Sequence, residues 1–165
     1  MSEPHVRPAT AEDAPAVARI WETAWREAHL GHVPDELVAV RTSESFRTRA
    51  AEYVARTAVS VVDAEVAGFV MVVDDEVDQV FVEERHRGSG VAGQLLAEAE
   101  RLVAAGGHRR AWLAVVDGNA RARRFYERQG WTDDGAFDHA ARVEGGTIPV
   151  PCRRYVKDVG PERAP

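Results

Sequence analysis

At 165 residues, 45% hydrophobic and 29% charged, the chain has enough apolar material for one conventionally cored domain and too much to stay disordered. Its formal net charge of -6 and pI near 5.5 leave no global positive field, which excludes nucleic acid as an expected partner and leans toward a cationic small molecule such as an amine. Cys152 is the single cysteine, so no intrachain disulfide or thiolate zinc cluster can form; without an apolar leader or a run of about 20 apolar residues, a cytoplasmic protein with no metal and no membrane partner is expected.

In chain order, a short strand over His5 to Pro8 precedes a helix opened by a capping box of Thr10 and Asp13, with Val17, Ile20, Trp21, Ala24 and Ala28 on one face. Gly31 and Pro34 break it, and a second helix is expected from Ser43 to Ala55. Three Val-rich runs follow, Ala58 to Val62, Val66 to Val73 and Val77 to Val82. The acidic turns Asp63-Ala64 and Asp74 to Glu76 separate them, the spacing of an antiparallel meander. Val91, Leu95, Ala99, Leu102 and Val103 make a helical stripe that stops at Gly106-Gly107, and Ala111 to Val116 is a buried strand.

Asn119 then caps a short amphipathic helix stopped by Gly130. Residues 133–151 read as a loop, with a last strand at Arg153 to Val156. Trp21, Trp112 and Trp131 are expected in the core. One domain is expected over residues 3–158, followed by a flexible tail at 159–165. The fold class is α/β, a mixed and mainly antiparallel sheet with helices on both faces.

The chemistry centres on RHRGSGVAGQLL, Arg85 to Leu96. Gly88, Gly90 and Gly93 match the G-x-G-x-x-G of dinucleotide-binding folds, with Asp117 at the end of the next strand as the ribose acid. Against this, Glu83 to Arg87 intervene between the strand and the first glycine, and the preceding strands form a meander where a βαβ unit would begin. A phosphate loop of the G-x-x-x-x-G-K-S/T type fails for want of the Lys-Ser/Thr pair. Some anion is still expected at this loop, because a helix N-terminus presents unpaired N–H groups and glycines allow close approach.

The segment RGSGVA, Arg87 to Ala92, fits Q/R-x-x-G-x-G/A, and with LAVVDGNARARRFYERQGW downstream the chain resembles the GNAT superfamily of acyl-CoA-dependent N-acetyltransferases. The resemblance implies a sheet splayed at a cofactor cleft between Val77 to Val82 and Ala111 to Val116. It also implies direct transfer of acetyl from acetyl-CoA to a primary amine of a small molecule or peptide. On this reading the backbone of Phe81 and Val82 meets pantetheine and the acetyl carbonyl. Arg87, Gly88, Ser89, Gly90, Val91 and Ala92 surround the pyrophosphate, while Arg85 adds charge or is simply solvated, as His86 is.

Asn119 bonds to pantetheine or only caps its helix, and Tyr126 protonates the departing thiolate or only fills the core. Asp78 is the first choice of base and Glu76 the second, with Glu27, His29 and His32 as alternatives. Trp25 and His29, at i and i+4 and off the main aliphatic face, border the acceptor. Relatives leave room for a homodimer through C-terminal strands. A non-catalytic acyl-CoA sensor is the alternative from outside enzymology.

Overall fold

The computed structural model describes residues 3–160. Strand β1 (His5–Pro8) leads through a short 3-10 turn into helix α1 (Ala14–His29), followed by α2 (Asp35–Val40) and α3 (Ser43–Glu52). Strands β2 (Thr57–Val62), β3 (Glu65–Val73) and β4 (Glu76–Val82) form the meander; α4 (Val91–Ala105), β5 (Arg110–Val116) and α5 (Ala120–Arg128) follow, then β6 (Thr132–Val143) and β7 (Gly146–Asp158). The seven strands make one sheet in the order β1-β2-β3-β4-β5-β7-β6. Every pairing is antiparallel except β4 with β5.

Alternating side chains of the strands feed two cores. Val59, Phe69 and Met71 pack with Val17, Trp21 and Phe46 beneath α1 and α3. Ala58, Val70 and Leu113 pack with Leu95, Ala99 and Val103 beneath α4. The period-2 strands and the 3.6-period helix stripes thus meet as expected, with helices on both faces of the sheet. Capping behaves likewise: the Asp13 carboxylate accepts the Thr10 backbone N–H at 2.8 Å.

Several boundaries differ from the sequence reading. The helix expected to reach Ala55 ends at Glu52, continuing only as a 3-10 turn over Val54–Arg56, and Pro34 starts an extra short helix, α2, instead of merely breaking the chain. Glu76, assigned to a turn, opens β4. The bends are at Asp63 and Ala64 (φ 51° and 66°) and at Asp74 (φ 55°), the left-handed geometry that tight hairpins require. Of the expected tail, Val159 and Gly160 both donate their N–H to the Arg109 carbonyl; the remainder lies outside the described residues.

The largest correction concerns residues 133–151, which are not a loop. They belong to a long hairpin, β6 and β7, turning at Glu144-Gly145. Pro149 and Pro151 lack the N–H a central strand needs, but β5 pairs with β7 only over Cys152 to Asp158. On its β5-facing side the Pro-containing half of β7 has no strand partner, so the missing N–H groups cost no ladder hydrogen bond.

Two irregularities open the sheet. β4 and β5 pair only at Glu76 and Trp112, and beyond that point they diverge. The register of β3 against β4 shifts between Met71 and Val72, which leaves Asp78 as the extra residue of a bulge between Val77 and Gln79. Trp112, expected in the core, is half-buried at this join: its Nε1–H donates to Asp75 Oδ1 at 3.0 Å and Arg154 lies 4.3 Å over its ring. It pins the two strands together where they begin to part.

Candidate active site

The splay leaves two cavities that meet. The larger, about 550 Å³, runs from the glycine loop to α5 and is lined by Phe81, Val82, Arg87, Gly90, Asn119 and Tyr126, among others. The smaller, about 150 Å³, lies between β4, the α1 to α3 segment and the β6-β7 hairpin. Val80, Phe81, Asn119, Ala122 and Tyr126 line both, so the cavities join in the gap where β4 has left β5.

In the larger cavity the glycine loop turns into α4 through left-handed residues, Gly88 at φ 79° and Gly90 at φ 87°, which favour glycine strongly. The first backbone bond of α4 is from Gln94 N–H to Gly90 O at 3.1 Å. Among the described residues, the N–H groups of Gly88 to Gly93 have no backbone acceptor. A Cβ built at Gly88 or Gly90 would meet nothing within 4 Å, so the space above the loop is open. This is a ready anion cradle.

The side chains of the loop do less than the sequence suggested. Ser89 turns its hydroxyl to the His86 carbonyl, Val91 is buried in the core, and neither lines the cavity, unlike Arg87, Gly88, Gly90 and Ala92. Arg87 is held by Glu27 in a two-pronged ion pair at 2.8 and 2.9 Å; its hydrogen bond holds the Glu27 carboxyl below its ordinary range. Glu27 is thereby removed from the acceptor side. Arg85 pairs with Glu65 and Glu83 in solvent. His86, read as a solvated loop residue, instead lines the cavity with a buried, unpartnered Nε2.

At the junction, Asn119 Oδ1 accepts the Ala122 N–H at 3.2 Å, so the capping role is real. Tyr126 packs at 5.3 to 6.3 Å against Phe125, Tyr155 and Trp131. Its hydroxyl has no hydrogen-bond partner among the described residues, and burial pushes its pKa up to about 12. The phenol keeps its proton throughout the neutral range. Beyond Glu76 the β5-facing backbone groups of β4, including those of the Phe81 and Val82 region, have no strand partner.

The smaller cavity collects charge. Arg142 of β6 donates to Asp78 Oδ1 at 2.8 Å and to Glu76 Oε1 at 3.3 Å, and His139 Nε2 stands 2.9 Å from Glu76 Oε2. Both oxygens of Glu76 are therefore occupied, whereas Asp78 Oδ2 is unclaimed. Trp25 and His29 both line this cavity, their rings stacked at 4.8 Å. Trp25 is also core, 5% exposed. His29 Nδ1 is 2.9 Å from the Trp25 carbonyl, so that nitrogen carries the proton and Nε2 is the free acceptor; burial holds its pKa down at about 4. His32 packs on Gly118 instead and is exposed. Cys152 lines the cavity as a buried thiol pushed up to about 12, which makes it a poor nucleophile.

Arg41, Arg49, His139 and Arg142 were not anticipated. Arg41 and Arg49 sit among ordinary helix residues, and His139 and Arg142 lie in the stretch taken for a loop. Only the length of the alternating pattern ahead of the EGGT turn, residues 144–147, signalled the hairpin that carries the last two.

The same architecture occurs in solved structures. A GCN5-related N-acetyltransferase from Rhodopseudomonas palustris superposes with a TM-score of 0.73 at 21% identity, covering 96% of this chain and 97% of that one. The yncA protein of Salmonella typhimurium, solved with its cofactor acetyl-CoA, gives 0.73 at 20% identity over 99% and 98%. The PaiA N-acetyltransferase of Thermoplasma acidophilum, in complex with coenzyme A, gives 0.69 at 15% over 95% and 99%. These likenesses establish the fold. No curated protein matches the chain. The model of the acetyltransferase (GNAT) family, however, matches residues 15–131, from the start of α1 to the end of α5. With that match spanning the glycine loop and the junction residues Asn119 and Tyr126, the chain belongs to the GNAT acetyltransferase family.

Proposed function

We propose that the protein is an N-acetyltransferase that moves an acetyl group directly from acetyl-CoA to a primary amine of a small molecule or peptide. The observation that carries this reading is the meeting of the two cavities at Val80, Phe81, Asn119 and Tyr126. A thioester held in one can be attacked from the other without either reactant leaving its cavity.

The residues present fit the coenzyme. The unclaimed N–H groups of Gly88 to Ala92 suit a pyrophosphate, and the unpaired edge of β4 suits the pantetheine amides as an added strand. Bound acetyl-CoA supplies an activated acetyl thioester. An N–H of the Phe81 and Val82 backbone stabilises the negative charge that develops on the acetyl oxygen. Asn119 keeps its side-chain N–H₂ free for the coenzyme while its oxygen caps α5.

The amine enters past Trp25 and His29. Asp78 Oδ2 attracts its ammonium form and takes the proton that must leave before nitrogen can attack, and Glu76, with both oxygens engaged, positions Arg142 and His139 around it. The C–N bond forms, the nitrogen loses its second proton to solvent as the C–S bond breaks and the amide forms, and Tyr126 gives its proton to the thiolate, to be reprotonated from solvent. Coenzyme A release, measured with a panel of amines and repeated with Tyr126→Phe, tests the reading. Release that depends on both an amine and the phenol supports it. Acetyl-CoA binding without release to any amine would instead support the sensor.

A further inference from the structure

The wall of the smaller cavity carries more positive than negative charge, in a protein whose net charge is -6. Three guanidinium groups, of Arg41, Arg49 and Arg142, face two carboxylates, of Glu76 and Asp78. Arg142 takes up both carboxylates. Among the described residues, that leaves Arg41 and Arg49 without a carboxylate partner. Arg41 is 5% exposed; one of its terminal nitrogens donates to the Arg142 carbonyl at 2.7 Å, and its Nε is buried with no acceptor. One terminal nitrogen of Arg49 is likewise buried and unpartnered, and its guanidinium rests 4.1 Å over the Trp21 ring.

Buried donors of ionised groups are rarely left unpaired, because the desolvated charge is costly unless something accepts from it. A ring face offsets part of that cost for Arg49 but offers no acceptor in the plane of the guanidinium. Nothing comparable serves Arg41. Burial lowers the affinity of both groups for their protons, in Arg49 to about 10; a guanidinium is not deprotonated in proteins. Both side chains line the space that an acceptor must occupy.

The geometry points to an acceptor that brings its own anion: a compact free amino acid, whose carboxylate is received by Arg41 and Arg49 while its amine lies toward Asp78 and the Tyr126 junction. The inference rests on the acetyltransferase reading above and narrows its substrate class. Three features select this ligand over a bare amine or a peptide end. The cavity is small, about 150 Å³. The guanidinium fork matches a carboxylate in two-pronged geometry. Arg41, Arg49 and Asp78 feel one another's charge, so the groups that would receive anion and cation are near neighbours, as the two ends of an amino acid are. A peptide N-terminus or a polyamine would leave the arginines unsatisfied.

The test compares acceptors on the unaltered enzyme. Coenzyme A release is measured with each of the twenty common amino acids and β-alanine, and with the amide and the decarboxylated amine of each. The expected result is turnover of a subset of free amino acids at kcat/KM at least 10-fold above that of their amides and decarboxylated amines. Amides or bare amines acetylated as fast as or faster than every free amino acid would overturn the inference while leaving the acetyltransferase standing. A lack of release with all acceptors, together with no acetyl-CoA binding by calorimetry, would overturn both. As a second measurement, Arg41→Gln should lower kcat/KM for the best amino acid at least 10-fold more than it lowers kcat/KM for the matching decarboxylated amine. An equal loss for both acceptors would show a structural role only.

Discussion

The two cavities are made of different material. The larger one is backbone: an exposed strand edge, two left-handed glycines and the unclaimed N–H groups at the start of α4. The smaller one is side chain: Arg41, Arg49, Asp78, Glu76, His139 and Arg142, drawn from the α2-α3 segment, β4 and β6. Backbone offers the same groups whatever the sequence, so a backbone site suits a ligand common to a whole family. A side-chain site can be changed residue by residue, so it is where one acceptor is told from another.

The sharpest test of this contrast is at the junction, where a side chain reaches into both cavities. Tyr126→Phe keeps the ring packed on Trp131 and Tyr155 and removes only the proton donor. A thiol pKa near 8.5 makes its thiolate a tolerable leaving group, so turnover should fall roughly 10- to 1000-fold without vanishing. Acetyl-CoA affinity should hold. A loss of affinity in place of turnover would assign Tyr126 to the backbone-built half as a binding residue.

The next test strikes the backbone itself. Gly90 sits at φ 87°, with open space where a Cβ would go. Valine there meets no neighbour, but it must hold a conformation that costs a branched residue about 1 to 3 kcal/mol, or else rotate the loop away from its ligand. Acetyl-CoA binding by calorimetry should weaken roughly 10- to 100-fold. Normal binding by this variant would show that the phosphates are cradled elsewhere.

The contrast also explains what could be read from the sequence. The glycine loop, the meander and the α5 block are local, each written in a short run whose spacing has one structural consequence, and the antiparallel order of β2, β3 and β4 followed from them. The acceptor wall is not local. Asp78 reaches the site through a bulge, Arg142 through a long hairpin, and Arg41 from the end of a helix only six residues long. Their meeting is a tertiary event with no sequence period. The pairing of Arg87 with Glu27 was hidden for the same reason, since the two are 60 residues apart.

On the side-chain half, His29 gives a pH signature. Half-buried and neutral, it has its pKa lowered from 6.5 to about 4. In the unfolded chain it binds a proton near pH 6.5 and in the folded chain only near 4, so the unfolded state takes up more protons between these values. Stability is therefore fully present above pH 6.5 and is lost as the pH falls toward 4, by up to about 3 kcal/mol from this residue. His29→Gln, followed by denaturant unfolding at a series of pH values, should flatten that slope. An unchanged slope would mean the imidazole is better hydrated than its packing against Trp25 and Phe81 suggests.

The smallest effect is expected from the loop arginine. Arg87 stands at the phosphate end of the larger cavity, but Glu27 already holds it on two sides, so the pair brings little net charge to a ligand. Arg87→Ala removes one cation and frees one anion beside the phosphates, and acetyl-CoA affinity should fall by about 1 to 2 kcal/mol. Much of that fall belongs to the unmasked Glu27. The variant Glu27→Gln should therefore bind acetyl-CoA a few-fold more tightly than the parent, because Arg87 is released toward the ligand. The double variant should lie close to the parent, within about 1 kcal/mol. These affinities, measured at two salt concentrations, separate the cases: if Glu27→Gln weakens binding, the carboxylate positions Arg87 for the phosphates, and the backbone half of the cleft depends on side chains more than its construction implies.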